Sequence, residues 1–147
     1  GVKNTYNRGD ALNALNWDDR KRPLAAQVME YYRGLVALRQ GEHGRSLRLA
    51  ENPPADYYRW MDPPNAKALG YWINEKRERP GAAFGVMLNS STDPVWFESV
   101  FPAGKWVRVS DGVRVVTDLS LLRAPIDGGA KLRVMVPART AFVFLSP

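Results

Sequence analysis

The sequence predicts a mainly β protein, an antiparallel β-sandwich preceded by a polar loop and one helix. Three observations predict it. Apolar residues recur at helical spacing in one segment only, Leu24 to Leu38. From Tyr57 onward, short runs alternate in side-chain character with a period of two, as half-buried strands do. Gly41 to Gly44 separates the two regimes, and Pro- and Gly-containing loops punctuate the second.

Taken in order, residues 1–20 are rich in Asn, Asp and Gly. Such side chains hydrogen-bond their own backbone and favour turns and caps over helix interiors. Asp18 or Asp19 is expected to cap the helix, with Pro23 in its first turn. Leu24, Val28, Tyr31, Leu35 and Leu38 form one apolar row, and Ala25, Met29, Tyr32 and Val36 a second beside it. The apolar face is therefore wider than that of an ordinary surface helix. It needs cover, either from self-association along the row or from the helix folding back onto the sandwich. Gly41 is a natural stop.

Strands are expected at Tyr57 to Met61, Leu69 to Asn74, Phe84 to Asn89, Val95 to Val100, Trp106 to Ser110, Val113 to Thr117, Lys131 to Val136 and Thr140 to Leu145. Asp111-Gly112 reads as a two-residue hairpin between the fifth and sixth of these. Pro53-Pro54, Pro63-Pro64, Arg79-Pro80-Gly81 and Asp127-Gly128-Gly129 mark connecting loops. Roughly six to eight short strands at this spacing suit a sandwich.

The chain has 147 residues, enough for one domain or one domain with an appendage, and can sustain a core without staples. A complete (β/α)8 barrel needs about 250 residues and is excluded. With no cysteine and one histidine, His43, there is no disulfide frame, thiolate zinc site or cysteine nucleophile. Metal clusters and Ser-His-Asp triads have almost nothing to draw on, and no cofactor or metal is expected. No apolar run approaches the ~18 residues of a membrane span, and Gly1-Val2-Lys3-Asn4 does not open a signal peptide. The net charge of +6 comes from scattered residues, the densest runs being Arg20-Lys21-Arg22 and Lys76-Arg77-Glu78-Arg79. A solvated surface on part of a larger molecule accounts for it better than a nucleic-acid partner, which would need a basic stripe interleaved with aromatics.

The most unusual stretch runs from Tyr6 to Trp17: Tyr-Asn-Arg-Gly-Asp-Ala-Leu-Asn-Ala-Leu-Asn-Trp. Amides, a carboxylate and a guanidinium lie beside two aromatic rings. Sugar hydroxyls need paired donors and acceptors, which Asn and Asp supply, and the apolar face of a pyranose stacks on Tyr or Trp. The same composition also describes a plain connecting loop anchored by Tyr6 and Trp17, and taken alone it favours that description.

This stretch, followed by Tyr-Tyr-Arg-Gly-Leu-Val-Ala-Leu-Arg at 31–39, resembles the end of the catalytic barrel in pullulanases. These are α-1,6-glucan debranching enzymes of the α-amylase superfamily. Phe84 to Asn89 and Val136 to Leu145 resemble later strands of the all-β C-terminal domain that follows. Arg8 stands where the family often has Ser, Asn16 where Asp is usual, and His43-Gly44-Arg45 where it often reads His-Pro-x-Phe-Arg.

The resemblance implies that residues 1–46 are the last loop and helix of a (β/α)8 barrel and residues 47–147 a C-terminal β-sandwich. It implies a parent enzyme that hydrolyses α-1,6 branch points with retention, through a nucleophile and an acid about 5–5.5 Å apart. Those carboxylates would lie upstream of residue 1, so the isolated chain is expected to be inactive. Asp10, with Asn7, Asn13 and Tyr6, would line a glucose subsite, Asp10 accepting from sugar hydroxyls. Arg8 either pairs with Asp10 or points into solvent. The implied partners are the upstream barrel and, through it, an α-glucan.

Among the other acids, Asp56, Asp62, Glu75, Glu98, Asp111, Asp118 and Asp127 fall mostly at turns or strand ends and read as solvated. His43 reads as a capping or packing residue. Trp60, Trp72, Trp96 and Trp106 read as core or domain-interface packing, although an outward set would make a sugar platform. That arrangement would suit the rival description, a stand-alone carbohydrate-binding β-module. Asn89-Ser90-Ser91 is a formal glycosylation triplet.

Overall fold

The computed structural model describes residues 16–122 and 125–147. Asn16 caps a 3-10 turn at Trp17–Lys21, its side-chain oxygen accepting from the Asp18 amide at 3.1 Å. Helix α1 (Pro23–Gln40) follows directly. Its cap is Arg22, with no side-chain bond to the helix, and Pro23 opens the first turn. Asp18 and Asp19, one of which is expected to cap the helix, lie instead inside the preceding 3-10 turn, which Asn16 caps. Gly41 ends the helix with its N–H on the Ala37 carbonyl at 2.8 Å. A second 3-10 turn spans His43–Leu47.

The strands are β1 (Tyr58–Trp60), β2 (Ala68–Ile73), β3 (Ala83–Asn89), β4 (Val95–Val100), β5 (Lys105–Ser110), β6 (Ile126–Asp127), β7 (Lys131–Val136) and β8 (Thr140–Ser146). They form a six-stranded sheet, in the order β1-β2-β3-β8-β5-β6, and a two-stranded sheet of β4 and β7. Every pairing is antiparallel. The architecture is thus the predicted antiparallel sandwich with one helix.

Alternation along the strands builds two cores. On the inner face of the large sheet, Ala68, Trp72, Ala83, Met87, Phe142 and Phe144 meet Val95, Phe97 and Val136 of the small sheet. Trp72 sits at the centre, its ring 4.8 Å from Phe101 and 4.9 Å from Trp106, both edge-on. Its partner across the ladder is Gly85, and a Cβ there would stand 2.3 Å from the indole. The glycine leaves the space in which Trp72 crosses β3. The indole N–H groups are satisfied, Trp72 on the Ser99 hydroxyl at 3.3 Å and Trp106 on the Pro102 carbonyl at 2.7 Å.

The outer face of the same sheet makes the second core. Ile73, Phe84, Val109 and Leu145 are buried there with Leu38 of α1, Tyr57 and Ala82. A bulge in β5 shifts the register between Arg108 and Ser110 against β8. The extra residue lets Val109 pack in this core while the hydroxyl of Ser110, next in sequence, shares a hydrogen bond with the Tyr31 hydroxyl of α1 at 3.2 Å.

Val113 to Thr117, expected as a strand, is irregular. Asp111 does begin a tight turn, with Gly112 at φ +85°, but only a single bridge, Ser110 to Val115, survives beyond it. Val115 packs instead against Gly34 of α1, which draws this segment off the ladder and onto the helix.

Candidate functional site

Tyr6, Asn7, Asp10 and Asn13 lie outside the described residues, as does Arg8. Trp17, at the end of that stretch, is 69% exposed.

The helix that follows shows how the wide apolar face is used. From Tyr31 onward the first row docks on the sandwich: Tyr31 bonds Ser110, Gly34 meets Val115 and Leu38 is buried. The second row does not dock. Met29, Tyr32 and Val36 are exposed, as are Leu24 and Val28 at the helix start. Leu24, Val28, Tyr31 and Tyr32 border a hollow of about 390 Å³ against Gly112 and Val113.

A second exposed apolar area lies on the outer face of the large sheet, at its β1 edge. Tyr58, Trp60 and Leu69 are exposed there around a half-buried Tyr71. The Trp60 and Tyr71 rings meet edge to face at 5.4 Å. Burial and then the neighbouring Tyr58 push the Tyr71 phenol above its ordinary pKa. Of the four tryptophans read as packing residues, Trp72 and Trp106 are fully buried, while Trp60 is 63% and Trp96 48% exposed. Trp60 and Trp96 occupy the outer faces of different sheets, so they form no common platform. Arg133 stacks over the Trp96 ring at 4.3 Å.

The carboxylates sit where turns and strand ends place them. Asp56 pairs with Lys76, Asp127 with Lys105, and Glu75 takes the Arg59 guanidinium at 2.7 Å. Glu98 lies between Lys131, at 3.1 Å, and Arg133, at 3.7 Å. A hydrogen bond from Lys76, then its charge, holds the Asp56 carboxyl below its ordinary pKa. Asp118 caps the short 3-10 turn Leu119–Leu121, accepting from the Ser120 amide at 3.0 Å and from its hydroxyl at 2.6 Å. Among the described residues, no three His, Asp or Glu side chains gather as a metal-ion site. No described helix is long and apolar enough to cross a membrane.

His43 is half-buried at the start of its 3-10 turn, its carbonyl accepting the Ala82 N–H at 2.9 Å. Asn89 is buried. Its amide donates to the carbonyls of Asp93, Pro137 and Val136 at 2.8, 2.9 and 3.1 Å. Its oxygen accepts from the Ser91 amide at 2.9 Å and hydroxyl at 2.6 Å. The triplet Asn89-Ser90-Ser91 is therefore a structural latch.

Neither the Tyr58–Trp60–Tyr71 cluster nor the placing of Arg79 beside Arg45 and Arg48 in one groove stands out in the sequence. The alternation of Tyr71 with Trp72 does signal that one ring faces outward, whereas the arginines are brought together only by tertiary contact.

The whole fold has counterparts among solved structures. It is similar to a pullulanase from Bacillus acidopullulyticus, with a TM-score of 0.72 and 19% identity, over 99% of this chain and 16% of that one. The fold is one found in pullulanases. A type I pullulanase from Bacillus subtilis, complexed with maltose, is also similar, with a TM-score of 0.69 and 22% identity, over 99% of this chain and 19% of that one. This chain thus spans less than a fifth of either pullulanase. No family model and no curated protein matches the sequence.

Proposed function

We propose that this chain is the C-terminal portion of a pullulanase-like glycoside hydrolase acting on α-1,6 branch points in pullulan-, starch- or glycogen-type glucans. The observation that carries the reading is coverage: 99% of the chain follows the pullulanase fold while accounting for less than a fifth of those enzymes. The motif at 6–17 and the Gly34-Leu35-Val36-Ala37-Leu38-Arg39 run agree with it.

In this reading, residues 1–46 close a catalytic barrel and residues 47–147 brace it. Asp10, Asn7, Asn13 and Tyr6 line a glucose subsite beside the scissile bond. Substrate hydroxyls would be held by the Asp10 carboxylate and the two amides, and a sugar face by the Tyr6 ring. The nucleophile and the acid belong to the upstream barrel. The undocked row Met29, Tyr32 and Val36 and the apolar area around Trp60 support an upstream partner, since exposed apolar surface of this kind marks an interaction site. A second copy of the chain is the competing occupant of the helix row.

The test is pullulan hydrolysis. The purified 147-residue chain should show no turnover, whereas the protein encoded together with its upstream region should cleave pullulan and lose affinity for it on Asp10→Ala. Turnover by the isolated chain, free of longer enzyme, overturns the reading. So does an upstream region that encodes no hydrolase. Light scattering separates a monomer from a helix-row dimer. A stand-alone carbohydrate-binding module predicts saturable calorimetric binding of maltooligosaccharides by the chain alone.

A further inference from the structure

Two loops far apart in sequence carry three arginines into one groove. Arg45 and Arg48 stand in and just after the 3-10 turn His43–Leu47, and Arg79 stands in the connection from β2 to β3. Together with Leu49, Ala50 and Pro80 they line a groove of about 330 Å³.

The backbone beneath this groove is held by buried hydrogen bonds. The Ser46 hydroxyl donates to the Ala82 carbonyl at 2.6 Å, and the Tyr57 hydroxyl to the Ser46 carbonyl at 2.7 Å. Asn74 grips Arg79 from both sides, accepting from its amide at 3.1 Å and donating to its carbonyl at 3.0 Å. Gly81 lets the loops close: it holds φ +104°, and a Cβ there would stand 2.4 Å from the Ser46 nitrogen. The arginines therefore rise from a fixed base, which lowers the ordering cost of any ligand they share.

Their charge is only partly answered within the fold. Arg45 pairs with Glu42 at 2.9 Å. Arg48 donates to the Gly41 carbonyl at 3.2 Å, a neutral partner that leaves other N–H groups available. Arg79 makes no ion pair among the described residues. Like charges that line one groove repel one another, and an oxyanion bound there relieves the repulsion. A guanidinium fork matches phosphate oxygens in a bidentate way.

We propose that this groove binds a phosphate-type oxyanion, carried either by free inorganic phosphate or by the phosphomonoester of a sugar. The inference does not depend on the glucan reading. Past Arg79 the groove continues into a hollow of about 250 Å³ that Glu51 borders. A carboxylate there accepts from a hydroxyl but repels a second phosphate, which gives a way to tell the two sources apart.

The test is titration of the 147-residue chain with sodium phosphate and, separately, with glucose 6-phosphate, followed by amide chemical shifts at fixed ionic strength. Saturable shifts are expected at residues 45–51, 79 and 81. Arg48→Gln and Arg79→Gln should each weaken binding about tenfold, while Lys131→Gln, which removes the same charge from the small sheet, should leave it unchanged. Tighter binding of the sugar phosphate that is lost on Glu51→Gln assigns the ester. Equal affinities, neither of them weakened by Glu51→Gln, assign free phosphate. Shifts that never saturate, or equal weakening by Lys131→Gln, overturn the proposal. Unchanged shift dispersion away from the groove shows that each variant is folded.

Discussion

Gly34 of the helix lies directly against Val115: a Cβ at Gly34 would stand 2.7 Å from the Val115 Cβ. In an exposed helix, alanine in place of glycine adds about 1 kcal/mol of stability. Here the contact reverses the sign. Gly34→Ala should destabilise the fold by about 1–2 kcal/mol, since overpacking of this kind typically costs about 1–3 kcal/mol. Val115→Gly, added to it, should recover part of the loss. Urea denaturation of both single variants and the double variant measures this. A Gly34→Ala protein more stable than the parent would show that the helix does not dock this closely.

Gly85 and Trp72 make the same argument inside the sandwich, where a methyl added at Gly85 would fall 2.3 Å from the indole. Gly85→Ala should cost about 1–3 kcal/mol and flatten the near-ultraviolet circular dichroism that the packed Trp72 contributes. Trp72→Phe should lessen the effect of Gly85→Ala when the two are combined. Strict additivity of the two changes would count against the contact.

Asn89 joins β3 to the end of β7 through the Val136 and Pro137 carbonyls, to the β3–β4 connection through the Asp93 carbonyl, and to Ser91 through its oxygen. Asn89→Asp keeps the shape but removes the donors and sets a negative charge against three carbonyl oxygens. A loss of about 3 kcal/mol or more is expected, read from the urea midpoint. For the same reason, expression through a glycosylating secretory route should add no glycan at Asn89. A mass shift assigned to that residue would mean the latch opens before the sheet forms.

Asp111 supplies a pH dependence with a definite sign. Burial by itself would raise its carboxyl. The amides of Arg114 and Val113 and the charges of Arg114 and Arg108 outweigh that and hold it below its ordinary pKa. A depressed folded value contributes stability that is present at neutral pH and is lost as pH falls below roughly 3.9, through the folded value. Asp111→Ala should therefore cost about 1 kcal/mol near pH 7, and the gap to the parent should narrow toward pH 3. Urea midpoints across that range check it. A gap that widens in acid would reverse the assignment.

Much of the fold is legible in the sequence because its periodicities are clean. Val95 to Val100 and Lys131 to Val136 alternate as strands should, and they are β4 and β7. The helix stops where Gly41 predicts. Alternation shows that Trp96 faces away from Phe97, but alternation cannot say which face is covered. Trp96 and Trp60 are thus exposed while Trp72 and Trp106 are buried. Val113 to Thr117 carries a strand pattern, yet Val115 is claimed by Gly34, a contact set by the helix and invisible to a local reading. The arginine groove is unreadable for a similar cause, since Arg45 and Arg79 line one groove only once Ser46, Tyr57 and Asn74 have bolted their loops together. Tyr6, Asn7, Asp10 and Asn13, proposed to line a glucose subsite, lie outside the described residues, so the motif remains their support.

The placement of β8 between β3 and β5 has a bearing on how the molecule is made. The last strand of the large sheet to leave the ribosome is an interior one. Until then β3 and β5 have no common neighbour, and each offers an unpaired edge to any passing chain. Assembly of this layer must wait for Thr140–Ser146, which makes a shielding chaperone, or a swift release from the exit tunnel, more valuable here than in a sheet laid down in chain order.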